Sequence, residues 1–457
     1  MILRIVLSVA VAFLSISLFK IATDSLSFKK LNMISVIFYF IMGLNLLGGS
    51  LIFIGYRDHY LVQKVQSPLT IENTYYALAY TVIIFPATLI LVKKLCNRFI
   101  IVKSFHSFIK EKPSYSNSVV IRRTTLMLMA VCTIATIYVF VNLGYVPFVE
   151  LFRGERINEL RLLGSRFFQG NHFIKNILML SLTSYLSYFT YINFRIMKTR
   201  IWRAMFAYMA CLSVIVLTYD FSKAPIIFFV LGIYLIEVCL GNVRNIRYFS
   251  LLITISIVII LSFYLFIAEI GDSIFSIYSG PLGRLLFTQI ATLFLHFEVF
   301  PSMNGFLYGA SFNSWMSFIV PEAQSLRSGR VVMTIFNYDA VLDKTAGVMN
   351  TLFIGEAYAN FGYVGVILAP IIFGIVIGLS AYLLQSMEKS SVSIFLYVQL
   401  TLHFAKIIEG GFIDIIYSAS TIILVMFSLL LNFVSNKGRL SIQFKRFSTI
   451  RQFNDKK

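Results

Sequence analysis

The chain has 457 residues, of which 58% are hydrophobic and 13% charged, and its mean hydropathy is +0.83. Soluble domains carry about 25% charged residues, so a soluble globular protein is excluded. The formal net charge of +19 would suit a nucleic-acid binder, but its distribution along the chain gives it another meaning.

Apolar segments run over 2–19, 31–55, 74–92, 124–143, 174–193, 202–219, 224–240, 248–268, 351–384, 392–408 and 412–434. Most approach the roughly 20 residues that a bilayer-crossing helix needs, whereas barrel strands would alternate over about ten. The expected fold class is an all-α polytopic integral membrane protein of about eleven transmembrane helices, one membrane domain over 1–457. The first run has no convincing small-x-small cleavage site before Lys20 and reads as a retained helix. The segment 351–384 exceeds one span, so its first part is expected to project from the membrane or the helix to tilt.

The loops set the orientation. Alternation of eleven segments puts 20–30, 93–123, 195–203, 244–247, the Glu388-Lys389 turn and a basic tail over 435–457 on one side, with 25 basic and 4 acidic residues. The rest of the chain holds 14 basic and 16 acidic residues. The whole positive excess therefore lies on one face, as the positive-inside bias expects of a cytoplasmic side. Nucleic-acid binding needs no such alternation. The N-terminus and a large loop over 269–350 then lie outside. Within that loop, 282–300 is apolar and about 28 Å long as a helix. A single crossing there would invert the later parity, so an amphipathic, non-spanning helix in the interface or re-entering the membrane is expected.

Cys96, Cys132, Cys211 and Cys239 are scattered without metal or disulfide spacing, and no CxxC, HExxH, Walker or GxGxxG pattern occurs. Neither a metal nor a cofactor is expected.

Candidate functional residues concentrate in and after the large loop. Arg284, Thr288, Thr292 and His296 recur every four residues, which places them on one helix face, with Glu298 near its end. This is either a polar site or the wet stripe of an ordinary amphipathic helix. Arg327 and Arg330 follow; guanidinium forks suit phosphate oxygens, but each is also an ordinary loop charge. Glu356 sits inside an apolar segment with Asn360 one turn on. A carboxylate there is costly unless paired or wet, so it reads as functional or as half of a structural ion pair. Lys223 is either a cation facing the same side or a local partner of Asp220. Arg153 and Arg156 lie among Leu and Phe in 150–175, where an interfacial helix touching lipid headgroups competes with substrate contact. His172, Glu409 and Asp414 face the same side with no motif around them.

These pieces resemble the Wzy-type polymerases of O-antigen, capsule and exopolysaccharide repeat units. The resemblance is carried by Gly283-Arg284, Phe300-Pro301 with Gly309-x-Ser311-Phe312, and Phe318-Ile-Val-Pro321. Above all it rests on Asn350-Thr351 through Gly355-Glu356-Ala-Tyr-x-Asn360-Phe-Gly362-x-x-Gly365. Glu322 departs from the pattern where relatives often carry a base, and Lys223 stands where they often carry Arg. The resemblance implies a C-type membrane glycosyltransferase-like fold in a bacterial inner membrane, its active site facing outward. It implies transfer of a growing glycan from its undecaprenyl diphosphate to a sugar hydroxyl of the next lipid-linked repeat unit. Membrane lipids, chain-length regulator and flippase proteins are the implied partners, with no nucleic acid. Arg284, then Lys223, Arg327 and Arg330, are the candidates to stabilise the leaving diphosphate. His296, Glu298 and Glu356 are the candidate bases. An O-antigen ligase, or a flippase for lipid-linked oligosaccharide, is the alternative.

Overall fold

The computed structural model describes residues 1–114, 119–146, 168–220, 222–243, 280–416 and 419–434, with isolated residues between them. These residues form helices and connections, with an isolated β-bridge between Ser114 and Ser390. The helices are α1 (Ile2–Ala22), α2 (Met33–Ile54), α3 (Pro68–Phe99), α4 (Val119–Leu143) and α5 (Leu182–Met197, entered through a π-helical stretch Ile174–Ser181). There follow α6 (Arg200–Leu217), α7 (Lys223–Cys239), α8 (Gln289–Val299), α9 (Ser328–Phe336), α10 (Phe353–Ser386), α11 (Ser391–Ile407) and α12 (Ala419–Val434). Six of them, α1 to α4, α6 and α10, are long and apolar enough to cross a membrane. They leave large apolar side chains such as Phe13, Met127, Val141 and Val364 exposed, as lipid-facing surfaces do. The protein is a helical membrane protein. The apolar segments of the sequence coincide with helices, except 248–268, which lies largely outside the described residues, as does the tail 435–457.

Local chemistry explains several helix boundaries. Asn32 caps α2 in a capping box with Ser35, Pro68 occupies the first turn of α3, and Ser390 caps α11 in a box with Ser393. Contacts between connections distinguish the two ends of the bundle. At one end Arg4 pairs with Glu72 at 2.7 Å. At the other, Lys93 pairs with Asp24 at 3.2 Å, and Lys389 donates to the carbonyls of Ile109 and Glu111.

The helix α10 packs most extensively on α3. Gly374 and Gly378, one helical turn apart, face Thr88 and Val92; a Cβ on Gly374 would stand 2.7 Å from Thr88 Cβ. Small residues at this spacing let two membrane helices approach closely.

The excess length of 351–384 is taken up by a fold-back within α10. Gly362 has φ 57° and ψ −142°, outside the helical region. Phe353 and Phe373 would be about 30 Å apart along a straight helix. Their rings stack with centroids 3.9 Å apart. The chain therefore folds back at Gly362. A short limb, 353–361, lies beside the long limb and starts at the level of its middle. Residues 351–360 are all buried as a result. The Phe353 amide donates to the Ile408 carbonyl at 2.9 Å, so the connection after α11 reaches the same depth.

The helix α8 and its leading π-helical stretch Arg284–Thr288 remain at the Arg4 end. Thr288 contacts His59 at 3.0 Å, and Glu298 accepts from the Gln66 and Ser67 amides at 3.1 and 3.3 Å. Residues 290–299 are buried on every side among α2, α3, α9 and α10. The expected amphipathic helix with a wet face is thus corrected: α8 is a core helix, and Thr292, His296 and one oxygen of Glu298 are met by protein.

Candidate functional site

Three charged side chains from distant parts of the chain meet beside the short limb of α10. Arg327 stands at the N-terminus of α9, Glu356 on the short limb, and Asp414 in the helical turn Ile413–Ile416. Arg327 holds Asp414 through both terminal nitrogens, Nη2 to Oδ1 at 2.6 Å and Nη1 to Oδ2 at 3.1 Å. Arg327 Nη1 lies 3.8 Å from Glu356 Oε1. Glu356 Oε2 accepts the Ile413 amide at 3.1 Å.

Backbone geometry makes room for this cluster. Gly411 has φ 148°, and a Cβ there would stand 2.3 Å from Glu356 Oε2. The Glu356 side chain is 3% exposed, against 21% for Asp414 and 36% for Arg327. Burial disfavours the Arg327 cation, but its paired hydrogen bonds to Asp414 and the charges of Glu356 and Asp414 prevail and push its pKa up. The guanidinium stays charged, and one cation faces two carboxylates.

A cavity of about 250 Å³ opens on this cluster, lined by Arg327, Ser328, Thr351, Glu356 and Asp414 among others. The Thr351 hydroxyl is buried and has no hydrogen-bond partner. Behind the cavity wall, His296 Nδ1 lies 2.7 Å from the Thr292 carbonyl and Nε2 lies 3.2 Å from Ser328 Oγ. A carbonyl only accepts, so Nδ1 carries the proton and Nε2 accepts from the Ser328 hydroxyl. Burial pushes the His296 pKa down to about 4, against the opposing pull of the Thr292 carbonyl. The ring is neutral at pH 7 and orients Ser328.

Of the residues singled out in the sequence, Arg327 and Glu356 line the cavity, and His296 reaches it through Ser328. Asn360 braces the site: its Oδ1 accepts the Gly309 amide at 3.0 Å, and its Nδ2 donates to Ser311 and the Glu356 carbonyl. Arg284 is exposed in the π-helical stretch, about twelve residues and roughly 18 Å along the helix from His296. It does not line this cavity. Arg284 lies at the exposed start of this helix and His296 in its buried part, with the π-helical stretch between them.

Glu298 does not line this cavity: one of its oxygens binds the amides that lead into α3 and acts as an anionic cap there. Arg330 donates to the Ala346 and Gly347 carbonyls and holds the loop after α9. Arg153 is exposed and pairs with Glu150 at 2.7 Å. Arg156 and the Lys223 side chain lie outside the described residues. Asp414 carried no motif, and Ser328 was not distinguished in the sequence. The only signal for Ser328 was its place next to Arg327.

Among the described residues, no group of three or more His, Cys, Asp and Glu side chains is arranged to hold a metal ion. What the cavity offers is a fixed cation for an anionic group, a buried carboxylate to accept a proton, and hydroxyls to orient a polar ligand. Fold and cavity together define a helical membrane protein with a charged pocket between a folded-back helix and two connections. No family model, curated protein or solved structure matches the chain.

Proposed function

We propose that the protein is a membrane glycosyltransferase that polymerises lipid-diphosphate-linked oligosaccharide repeat units at the outer leaflet of a bacterial inner membrane. The observation that supports this reading is the Arg327–Glu356–Asp414 cluster on a cavity at bundle depth. Ionisable groups in such a place are rarely incidental. The motif over 350–365, through which the sequence resembles the Wzy-type polymerases, supplies both Glu356 and the folded-back limb that carries it.

In this mechanism a sugar hydroxyl of the incoming repeat unit attacks the anomeric carbon of the growing glycan. The bond from that carbon to the diphosphate oxygen breaks, and its electron pair leaves with the diphosphate. Glu356 takes the hydroxyl proton, as a general base must. Arg327 stabilises the negative charge that develops on the departing diphosphate, and Asp414 fixes the guanidinium in position. Ser328, held by His296, orients the acceptor sugar. The products are a glycan longer by one unit on the acceptor's lipid and a free lipid diphosphate. Arg327 thus replaces Arg284 as the first candidate for the phosphate contact.

Purified protein in a bilayer, supplied with one defined lipid-diphosphate-linked repeat unit, tests the reading. A polymerase produces a ladder of longer glycans. A ligase needs a different acceptor, and a flippase relocates the unit unchanged, so absence of elongation overturns the proposal.

A further inference from the structure

A second cavity, of about 270 Å³, lies between α5, α6, α7 and α11. Its wall on α11 is Gln399, Leu402, His403 and Lys406, spaced so that one helix face points inward. Aromatic rings, among them Tyr185, Tyr219 and Phe228, form much of the rest.

Two features of this wall call for a ligand. Gln399 is 6% exposed, and its Nε2 has no hydrogen-bond partner. A buried amide donor without an acceptor is costly, so the cavity is short of an oxygen at this point. Lys406 lies over the Phe228 ring at 4.9 Å. Among the described residues no carboxylate pairs with it. Asp220 also lines this cavity, but it and the other nearby acids are engaged by groups other than Lys406. Asp220 binds the Ser222 amide and hydroxyl, Glu409 binds Gln289 and Asn45, and Asp414 is held by Arg327.

We propose that this cavity binds the phosphate head of a membrane lipid. Lys406 supplies the charge, the Gln399 amide donates to a phosphate or adjoining oxygen, and the aromatic wall covers the apolar remainder. A neutral ligand would satisfy Gln399 but bring no counter-charge to Lys406, whose exposed side chain lines the cavity over the Phe228 ring. The helices α6, α7 and α11 are apolar, so the lipid's chains leave between them into the bilayer. The connection from Ile407 to Asp414 separates this cavity from the Arg327 cluster, so occupancy of one borders the other. The site itself does not rest on the polymerase reading. That reading adds only that a polyprenyl diphosphate, rather than a bulk phospholipid, fills it.

The test is lipid retention by the full-length protein. It is reconstituted in phosphatidylcholine nanodiscs doped with either phosphatidylglycerol or a polyprenyl diphosphate, extracted, and weighed by native mass spectrometry. Wild type is expected to retain one phosphate lipid. Lys406→Gln should lower retention about tenfold or more, and Lys406→Arg should preserve it. Gln399→Leu should lower retention while raising the melting temperature of the lipid-free protein, because it removes the orphaned donor; this variant also covers the case in which Lys406→Gln does not fold. Retention in either lipid arm supports the site, and preference between the arms names the source. The proposal is overturned if wild type retains neither lipid above phosphatidylcholine, or if Lys406→Gln and Gln399→Leu retain as much as wild type. Failure of elongation with intact retention would count against the polymerase reading alone.

Discussion

Glu356→Gln separates a catalytic carboxylate from a structural ion pair. The substitution keeps the shape of the side chain and an oxygen for the Ile413 amide, which Glu356 Oε2 holds at 3.1 Å. It removes the charge that faces Arg327 at 3.8 Å. Two unit charges at that separation attract by about 4 kcal/mol at an effective dielectric constant near 20 and by about 1 kcal/mol in water. Arg327 is more than a third exposed and already neutralised by Asp414, so the lower figure governs. Loss of Glu356 also relieves its repulsion with Asp414. Burial of the charge is itself costly, at 3% side-chain exposure, so the two effects oppose each other and the net stability change is expected to lie within about 1 kcal/mol of zero, a shift of a few degrees at most. Glu356→Ala additionally strands the buried Ile413 amide and should cost about 1–3 kcal/mol more. If Glu356 accepts the acceptor's proton, elongation by Glu356→Gln falls by about 10² to 10⁴ while the protein remains folded. The assay is ladder formation from a defined lipid-linked unit, read beside a thermal melt in the same detergent. A folded Glu356→Gln protein that elongates at the wild-type rate refutes the base assignment and leaves Glu356 as a structural anion.

Arg327→Lys retains the charge but cannot bridge both Asp414 oxygens, so elongation should drop at least about tenfold with little change in melting temperature; an unchanged rate argues that only net charge matters. Gly362→Ala places a side chain at φ 57° and ψ −142°, which should cost about 1–3 kcal/mol and spoil the fold-back, seen as lost elongation and easier proteolysis after Phe361. His296 has a folded pKa of about 4, below its unfolded value near 6.5, so the unfolded chain takes up the proton first. The stability from keeping the ring neutral is full above about pH 6.5 and is lost as pH falls toward about 4, by up to about 3 kcal/mol. His296→Asn should flatten that part of a melting-temperature profile, and an unchanged slope would contradict the buried neutral ring. Glu298→Ala should lower stability by about 1–2 kcal/mol through loss of the anionic cap on α3, with the KM of the folded fraction unchanged; a raised KM would return Glu298 to the substrate site.

Much of the bundle was legible because hydropathy registers length and apolar content, the properties that define a membrane helix. The fold-back of α10 was not, because hydropathy carries no direction: two antiparallel limbs joined at one glycine read as one long run. The glycines themselves were visible, and Asn360 does reach back one turn to the Glu356 carbonyl, as their spacing required. The reading of α8 failed for a related reason. Periodicity identifies a polar face but not what covers it. Here Thr292 and His296 turn toward the Asn350 carbonyl and Ser328, not toward water.

Asp414 shows what pairing adds to a list of charged residues. It lies 87 residues from Arg327, and no spacing rule connects them. Yet the two halves of the cluster impose complementary demands. Glu356 is buried by the fold-back, and a buried carboxylate needs a cation; Arg327 alone would satisfy it and leave no donor facing the cavity. Asp414 changes this. By taking both guanidinium terminal nitrogens it holds Arg327 at the cavity edge, 3.8 Å from Glu356 instead of in full contact. The carboxylate keeps one oxygen for the Ile413 amide and the other toward the cation and the cavity. A direct Arg327–Glu356 pair would close the cavity between them; the paired aspartate keeps it open.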